Sequence, residues 1–501
     1  MTRLPALTGA LCTVLILAGC TSVAPDGLRS DVARHTQGRL PAGTELPSPA
    51  TAAGPQADAP AGTATAALDP ASPHPAHHAA QVDAWLAQPV DADTAVRIAV
   101  LNNPGLQAQL AQLAAQDAAR AQSLTLINPS LTLGRFTNAH ERELEREIGL
   151  GIVDLITLPW RARWQGWQME RATLETAQAV LRLAADARRA WLNAVAAQQT
   201  LQAHARLHDA AVAGGELARR MAAVGNFSQL QQARELRVQQ DAAAQLARAR
   251  LAAALAREDL TRTLGLWGPQ AMALRLPAQL PPLPRAEDLR PGDAAEATAL
   301  RERLDVRALR RDLDTTADRL GVARVGALFG DMGLSHSRNT STERDSGHRE
   351  QTRGWELTLP LPLFDWGGSA SAAARAELDR SAARLRDTAL RARSEARSHW
   401  LRYRTAWDLA HQQHAEVLPT AQFMQDEAVL RYNGMFISTW DLLAQARSTT
   451  LAVAQATDAV RDFWLAEVDL QLALTGTSPD GAASAPRDVA LTTSTPTREG
   501  H

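Results

Sequence analysis

The stretch that decides the fold is Glu147-Ile148-Gly149-Leu150-Gly151-Ile152, with its later counterpart Trp355-Glu356-Leu357-Thr358-Leu359-Pro360-Leu361. In both, apolar residues alternate with polar or small ones. A period of two puts every apolar side chain on one face of an extended strand. Leu131-Thr132-Leu133 and the series Leu328, Gly330, Met332, Leu334 alternate more loosely. Half-buried strands have this pattern, and so do membrane β-strands of about ten residues with lipid on one side. The intervening segments 138–146 and 337–352 are charged and polar and are expected to be loops in water. Four strands cannot close a barrel, since the smallest membrane barrels have about eight. Open edges are forbidden in lipid, where each unpaired backbone group costs several kcal/mol. Strands that span a membrane therefore require an oligomer, and three copies supply twelve.

Outward from the strands, the chain repeats itself after about 200 residues, a period found by lining up local strings. Leu158-Pro159-Trp160 returns as Leu363-Phe364-Asp365-Trp366, and Ala190-Trp191-Leu192 as His399-Trp400-Leu401. Gly225-Asn226-Phe227-Ser228 is similar to Asn433-Gly434-Met435-Phe436-Ile437-Ser438, and Leu264-Gly265 to Thr475-Gly476. Each copy orders a short helix, strand, loop, strand, very long helix, break and further helix. Residues 104–127 read as a helix with Asn103-Pro104 as its start signal. Residues 160–222 read as one helix of about 63 residues, or roughly 95 Å. Its positions Leu174, Ala177, Leu181, Ala184, Trp191 and Val195 follow heptad spacing, interrupted by Arg188. A break at Gly225-Asn226 precedes a helix over 228–264. The expected architecture is mainly α with a small β part. Its parts are coiled-coil-like helical hairpins and four membrane β-strands per chain, duplicated internally. The units are 81–270 for the first copy, 271–297 for a Pro-rich connector, 298–476 for the second copy and 477–501 for a disordered tail.

The N-terminus reads as an address. Arg3 precedes an apolar stretch, Leu4 to Ala18, too short to span a bilayer, as in a secretory signal peptide over 1–19. It ends in Leu17-Ala18-Gly19-Cys20 and resembles a bacterial lipobox, which makes Cys20 a lipid attachment residue held by two or three acyl chains. Thr21 after it, rather than Asp, favours the outer membrane by that resemblance. Residues 20–80, rich in Pro, Ala, Gly and Thr, are expected to form a flexible tether. His74, His77 and His78 lie within it and read as solvated rather than as metal ligands.

Composition narrows the classes further. Apolar residues make up 45% and aromatics 4%, yet the 12 Trp exceed 7 Phe and 2 Tyr together. Fifty-two basic residues, all Arg, balance 54 acidic ones, so the basic footprint of a nucleic-acid binder is missing. The two cysteines both lie at the N-terminus, which leaves no disulfide framework. No metalloprotease, P-loop, nucleophile-elbow or dinucleotide motif is present, so an enzyme is not expected and neither is a cofactor. His204 and His208, and His411 and His414, share helix faces and read as solvated pairs, with no metal site claimed.

Taken together, residues 93–476 resemble the TolC family of outer-membrane factors. The strings that carry the resemblance are residues 99–106 with Asn102-Asn103-Pro104, Asn128-Pro129-Ser130-Leu131, Pro360-Leu361-Pro362-Leu363-Phe364-Asp365, and Arg431-Tyr432-Asn433-Gly434 leading to Asp441-Leu442-Leu443. The resemblance implies a homotrimer with a twelve-stranded β-barrel in outer-membrane lipid and an α-helical periplasmic barrel. It implies a passive exit duct of a tripartite efflux system for small molecules or metal ions. Its partners are a periplasmic adaptor (membrane fusion) protein and an inner-membrane efflux pump. The alternatives are a type I protein secretion duct and a periplasmic helical scaffold lipoprotein. Gly225, Asn226, Phe227, Ser228 and Leu230 match the first adaptor-contacting tip. Tyr432, Asn433, Gly434, Ser438, Leu442 and Leu443 match the second. Asp441 matches a pore-aperture aspartate, and a first-turn helix residue is the other reading of it. The family's partner acid three positions on is Ala444 here. Trp160, Trp164, Trp167 and Trp366 read as a girdle at the lipid–water interface, where an apolar ring with a wet N–H is most at home. Trp191, Trp400, Trp407 and Trp464 read as interhelical packing.

Overall fold

The computed structural model describes residues 23–48, 76–125, 128–137, 140–329, 333–343, 346–358 and 368–479, with backbone alone at 76–77, 150–157, 318–329, 333 and 370. Cys20, Leu359, Leu361, Trp366 and the tail from 480 lie outside these residues. Two N-terminal helices, α1 (Arg29–Thr36) and α2 (Ala76–Leu86), precede the first copy. That copy runs α3 (Ala92–Asn102), α4 (Pro104–Leu124), β1 (Ser130–Thr137), β2 (Glu141–Gly151), α5 (Ile152–Ala223) and α6 (Gln229–Thr263). After a short α7 (Pro269–Ala273), the second copy repeats the order. It runs α8 (Ala295–Glu302), α9 (Leu304–Phe329), β3 (Gly333–Glu343), β4 (Arg349–Thr358), α10 (Gly368–Gln412), a π turn (Gln413–Val417), α11 (Leu418–Asn433) and α12 (Thr439–Thr475).

The long helices bury an alanine-rich seam. Leu174, Ala177, Leu181, Ala184, Trp191 and Val195 are all buried, as their spacing requires. Arg188 escapes to the rim of the seam, donating to Asp93 and Gln471 at 3.0 Å each. The Asn102-Asn103 pair joins the two ends of the first copy. Asn102 is buried and donates from Nδ2 to the carbonyls of Leu264 and Gly265, while Asn103 caps α4 by accepting from Leu106 N–H at 3.1 Å. Gly265 has φ +69°, and a Cβ there would meet the Asn102 carbonyl oxygen at 2.7 Å, so the junction needs glycine on both counts.

Several expectations are corrected. The tether over 20–80 is not all flexible. Residues 23–48 fold onto the helices, with Val32 fully buried in the main core. Ala24 N–H donates to buried Asp117 at 2.7 Å, and Arg39 donates to the Thr475 carbonyl at 2.6 Å. Composition missed this because a few well-placed apolar residues suffice when another surface supplies the rest of the core. The start of the tail is also held: the Thr477 hydroxyl accepts from Arg182 at 3.0 Å and Ser478 donates to Glu395 at 3.0 Å.

The first long helix begins at Ile152 rather than Trp160, and takes Pro159 inside it. Proline at the first helical position is the usual start signal, which made the later start look right. The strands also extend well outside the apolar alternation, into the segments expected to be loops. Of the expected strand at 328–334, residues 328–329 end α9, 333–334 begin β3 and 330–332 lie outside the described residues, while most of the expected loops 138–146 and 337–352 are strand. Glu141-Arg142-Glu143-Leu144-Glu145-Arg146-Glu147 has a strict period of two, but in charge rather than hydropathy.

The two copies differ by one residue. The left-handed residue of the first tip is Gly225, φ +79°, whereas in the second it is Met435, φ +61°, and not Gly434. Gly225 is 34 positions after Trp191, and Met435 is 35 after Trp400. The π turn at Gln413–Val417 lies between Trp400 and Met435 and takes up the extra residue, which is what a π-bulge does to an α-helix.

Four tryptophans prove to be staples as well as packing groups. Trp191 Nε1 donates to the Val90 carbonyl at 2.7 Å, and Trp400 Nε1 to that of Arg290 at 3.1 Å. Trp407 and Trp464 donate to the carbonyls of Pro284 and Pro281 at 3.0 and 3.1 Å. The last three bonds fix the Pro-rich connector at Pro281, Pro284 and Arg290, with the Trp191 and Trp407 rings buried, those of Trp400 and Trp464 half-buried, and every indole N–H satisfied.

Candidate channel strands and docking tips

The four strands form one antiparallel sheet in the order β1-β2-β3-β4, and the β2–β3 pairing joins the two copies. β1 and β4 each have an open edge. The register fixes which side chains share a face. One face carries Leu131, Leu133, Leu144, Ile148, Leu334, Trp355 and Leu357, with the His336 ring tilted against that of Trp355, centroids 4.5 Å apart. The opposite face carries Ser, Thr, Gly, Asn and Glu, with Phe136 its one large apolar residue. Charge is sorted in the same way. All seven strand glutamates, at 141, 143, 145, 147, 343, 350 and 356, fall on the polar face. All six strand arginines, at 135, 142, 146, 338, 349 and 353, fall on the apolar one. On the polar face Asn339 donates to Glu143 at 3.2 Å, and the Ser341 hydroxyl donates to Glu141. Of the described residues, no helix is long and apolar enough to cross a membrane, so any membrane crossing rests on this sheet.

The two tips form at one end of the hairpins and touch. Gly225, Asn226, Ser228 and Leu230 are exposed, and the half-buried Phe227 ring stacks on Trp440 with centroids 5.0 Å apart. Ser228 and Ser438 each start a helix with a reciprocal capping box. Ser228 accepts from Gln231 N–H at 3.2 Å while Gln231 accepts from Ser228 N–H at 2.9 Å. In the second tip Asp441 takes the glutamine's place: its N–H donates to Ser438 Oγ at 3.2 Å, and its carboxylate accepts from Ser438 N–H at 3.1 Å and Oγ–H at 2.7 Å. The Ser438 hydroxyl, then the Ser438 backbone N–H, hold the Asp441 carboxyl below its ordinary range. Within one protomer, then, Asp441 is an exposed helix-starting residue. Tyr432, Asn433 and Gly434 are exposed at the end of α11, with Tyr432 Oη 3.4 Å from Thr439 Oγ1. Leu442 is half-buried, and Leu443 places its Cδ1 beside Gly214 of α5.

Three features of the tips escaped the sequence reading. Met435 and Phe436 are 93% and 83% exposed, the most prominent apolar side chains of the second turn. Trp440 bridges to the first tip. Just behind it, Arg447 on α12 pairs with Glu235 on α6 at 3.1 Å, both largely shielded from solvent. The string Met435-Phe436 between two capping signals was the available clue to the first. The ion pair had none, since its partners are 212 residues apart.

Trp160 is exposed, and Trp164 and Trp167 are half-buried. They lie 8 to 15 residues into α5, roughly 12–22 Å from the strand end at 1.5 Å per residue, rather than at the crossing itself. Among the described residues no group of three potential metal ligands converges. His208 lies 3.5 Å from Asp209, and His411 stacks on Trp407 at 4.8 Å.

No protein-family model matches the chain, and no curated protein matches it in sequence. Solved structures do match it in fold. The Campylobacter jejuni CmeC outer-membrane channel superposes with a TM-score of 0.63 at 17% identity, covering 77% of this chain and 86% of that one. A membrane protein from Pseudomonas aeruginosa gives 0.63 at 21% identity, covering 78% and 95%. The open state of the Neisseria gonorrhoeae MtrE outer-membrane channel gives 0.58 at 16% identity, covering 76% and 88%. The chain is mainly helical with one small antiparallel sheet, duplicated end to end, and it has the fold of the TolC-like outer-membrane channels.

Proposed function

We propose that three copies of this chain close a twelve-stranded outer-membrane β-barrel continued by a helical barrel into the periplasm. The trimer acts as the passive exit duct of a tripartite efflux system. The observation that carries this reading is the sheet. It has two open edges, one apolar face and one polar face, and open edges in lipid must be paired by further copies. The apolar face then meets lipid and the glutamate face lines the lumen, which favours cations in transit. The duct has no chemistry of its own. A periplasmic adaptor docks on the exposed tips, with Met435 and Phe436 added to Gly225, Asn226, Phe227, Ser228, Leu230, Tyr432, Asn433, Gly434, Ser438, Leu442 and Leu443. An inner-membrane pump supplies energy and selects the small-molecule or metal-ion cargo.

Lipid attachment at Cys20 fits the same arrangement. Ala24 is pinned to Asp117 near the strand-proximal end of α4, so Cys20, four residues earlier, is within about 14 Å of that point. Trp160, Trp164, Trp167 and Trp366 serve as the interfacial girdle, the first three roughly two to four helical turns deeper into the periplasm than the strand ends. Asp441 forms the aperture only if the trimer turns its capping carboxylate inward.

Planar-bilayer conductance tests the proposal. The purified trimer should give discrete, cation-selective channels. Arg447→Ala, which breaks the ion pair holding α12 to α6, should raise the conductance or open probability several-fold. A trimer that conducts neither as wild type nor as this variant sinks the channel reading and leaves the scaffold alternative.

A further inference from the structure

The arginines on the apolar face are not scattered. In register, Arg146 of β2 lies opposite Arg338 of β3, which lies opposite Arg353 of β4. Leu133 of β1 completes this row. The two rows beyond it carry Arg135, then Arg142 and Arg349. The two rows before it, toward the helices, are apolar apart from His336: Leu334 with Leu357, then Leu131, Ile148, His336 and Trp355. The face therefore changes from mainly apolar to cationic within one row, about 7 Å of strand.

Nothing on that face neutralises the row. Among the described residues none of these six arginines forms an ion pair, because every strand glutamate points the other way. Arg338 Nη2 donates to Gln351 at 2.9 Å, which orients the guanidinium, while its Nε has no hydrogen-bond partner. Like charges directly opposite one another destabilise a sheet. Arginine on the lipid face of a barrel is costly at the midplane and nearly free at the interface. Both penalties vanish if the row sits at headgroup depth against anions. Trp355, 73% exposed and one row closer to the helices, is the residue type that marks that depth. Guanidinium groups also match phosphate oxygens with paired N–H donors, and each further cation adds attraction for an anionic surface.

We propose that Arg146, Arg338 and Arg353, backed by Arg135, Arg142 and Arg349, bind the phosphate groups of anionic lipids around the barrel rim farthest from the helices. This rests on the channel reading above, with the apolar face toward lipid. Repeated three times, the row makes a cationic belt that holds the barrel at one depth and recruits a ring of anionic lipid.

The test is lipid selectivity of the intact trimer in phosphatidylcholine vesicles, using electron spin resonance of trace spin-labelled phosphatidylglycerol or spin-labelled phosphatidylcholine. Wild type should immobilise the anionic label several-fold more strongly than the zwitterionic one, with the preference shrinking in high salt. The triple variant Arg146→Gln/Arg338→Gln/Arg353→Gln should bring the two labels close to parity. The triple arginine-to-lysine variant keeps the charge and should retain part of the preference. Equal immobilisation of the two labels by wild type overturns the proposal, as does a glutamine variant that keeps the full preference. If the glutamine variant does not assemble, wild type and the lysine variant decide: a preference insensitive to salt overturns the proposal. A trimer that conducts without lipid preference overturns the belt alone, whereas one that immobilises neither label and does not conduct overturns the channel reading with it.

Discussion

Arg303 shows how a charge is kept inside an alanine-rich helical body. Its side chain is 1% exposed, with Nη2 and Nε on Asp305 at 2.6 and 3.0 Å and Nη1 on Glu395 at 2.6 Å. Burial alone would lower its pKa, but the two carboxylates outweigh burial and raise it. Arg303→Ala strands both carboxylates in a poorly solvated site. It should cost about 3–5 kcal/mol, read as a lower denaturation midpoint by circular dichroism. Asp441 shows the opposite case of an exposed charge. Its folded pKa is depressed, so the capping it provides is complete above the ordinary aspartate value of about 3.9 and is lost as pH falls through the lower folded pKa. Hydrogen exchange at the start of α12 should therefore quicken on acidification, after correction for the intrinsic rate. That acid sensitivity should be absent in Asp441→Asn; an unchanged profile in the variant would remove Asp441 as its source.

At the scale of elements, the two copies are the same device built to slightly different lengths. The π turn reconciles them, which gives a sharp expectation. Deleting Ala415 from within it should convert the turn to α-helix and leave trimer assembly and the second tip intact. Deleting buried Ala203 from α5 should rotate everything beyond it by about 100° and disrupt the heptad seam. Assembly on a sizing column, read for both deletions, decides; equal damage from each would refute the insertion reading. The strands carry a second lesson. Period two in charge marks a strand as surely as period two in hydropathy, because the pleat sorts any side chain by parity. Glu141 to Glu147 look like a solvated loop only when apolar residues alone are scored.

At the scale of the whole molecule, the open-edged sheet makes a single chain incomplete. Leu357→Arg places a charge within the aliphatic rows and should cost about 2–4 kcal/mol if that row lies near the bilayer midplane. The measurable outcome is loss of heat-resistant trimers from the outer-membrane fraction. The reverse control is Thr352→Arg on the glutamate face, which should leave assembly intact. If Leu357→Arg also assembles normally, the apolar face does not meet lipid. The tips add a complementary constraint, since the Phe227–Trp440 stack and the Arg447–Glu235 pair hold the two hairpins of one protomer together.

The duplication, the long helices and the presence of strands were legible in the sequence, because each rests on local spacing that the backbone imposes directly. Asn102-Asn103-Pro104 was visible as a start signal, but its closure onto Leu264 and Gly265 was not, since that contact spans more than 160 residues. The same holds for residues 23–48, whose few apolar groups become a core only against helices from elsewhere in the chain. Which residues alternate, and so which charges part company, follows from the order of the residues alone. The register that sets Arg146, Arg338 and Arg353 side by side emerges with the folded sheet, because strand pairing depends on where each hairpin turns and no single strand encodes its neighbour's position.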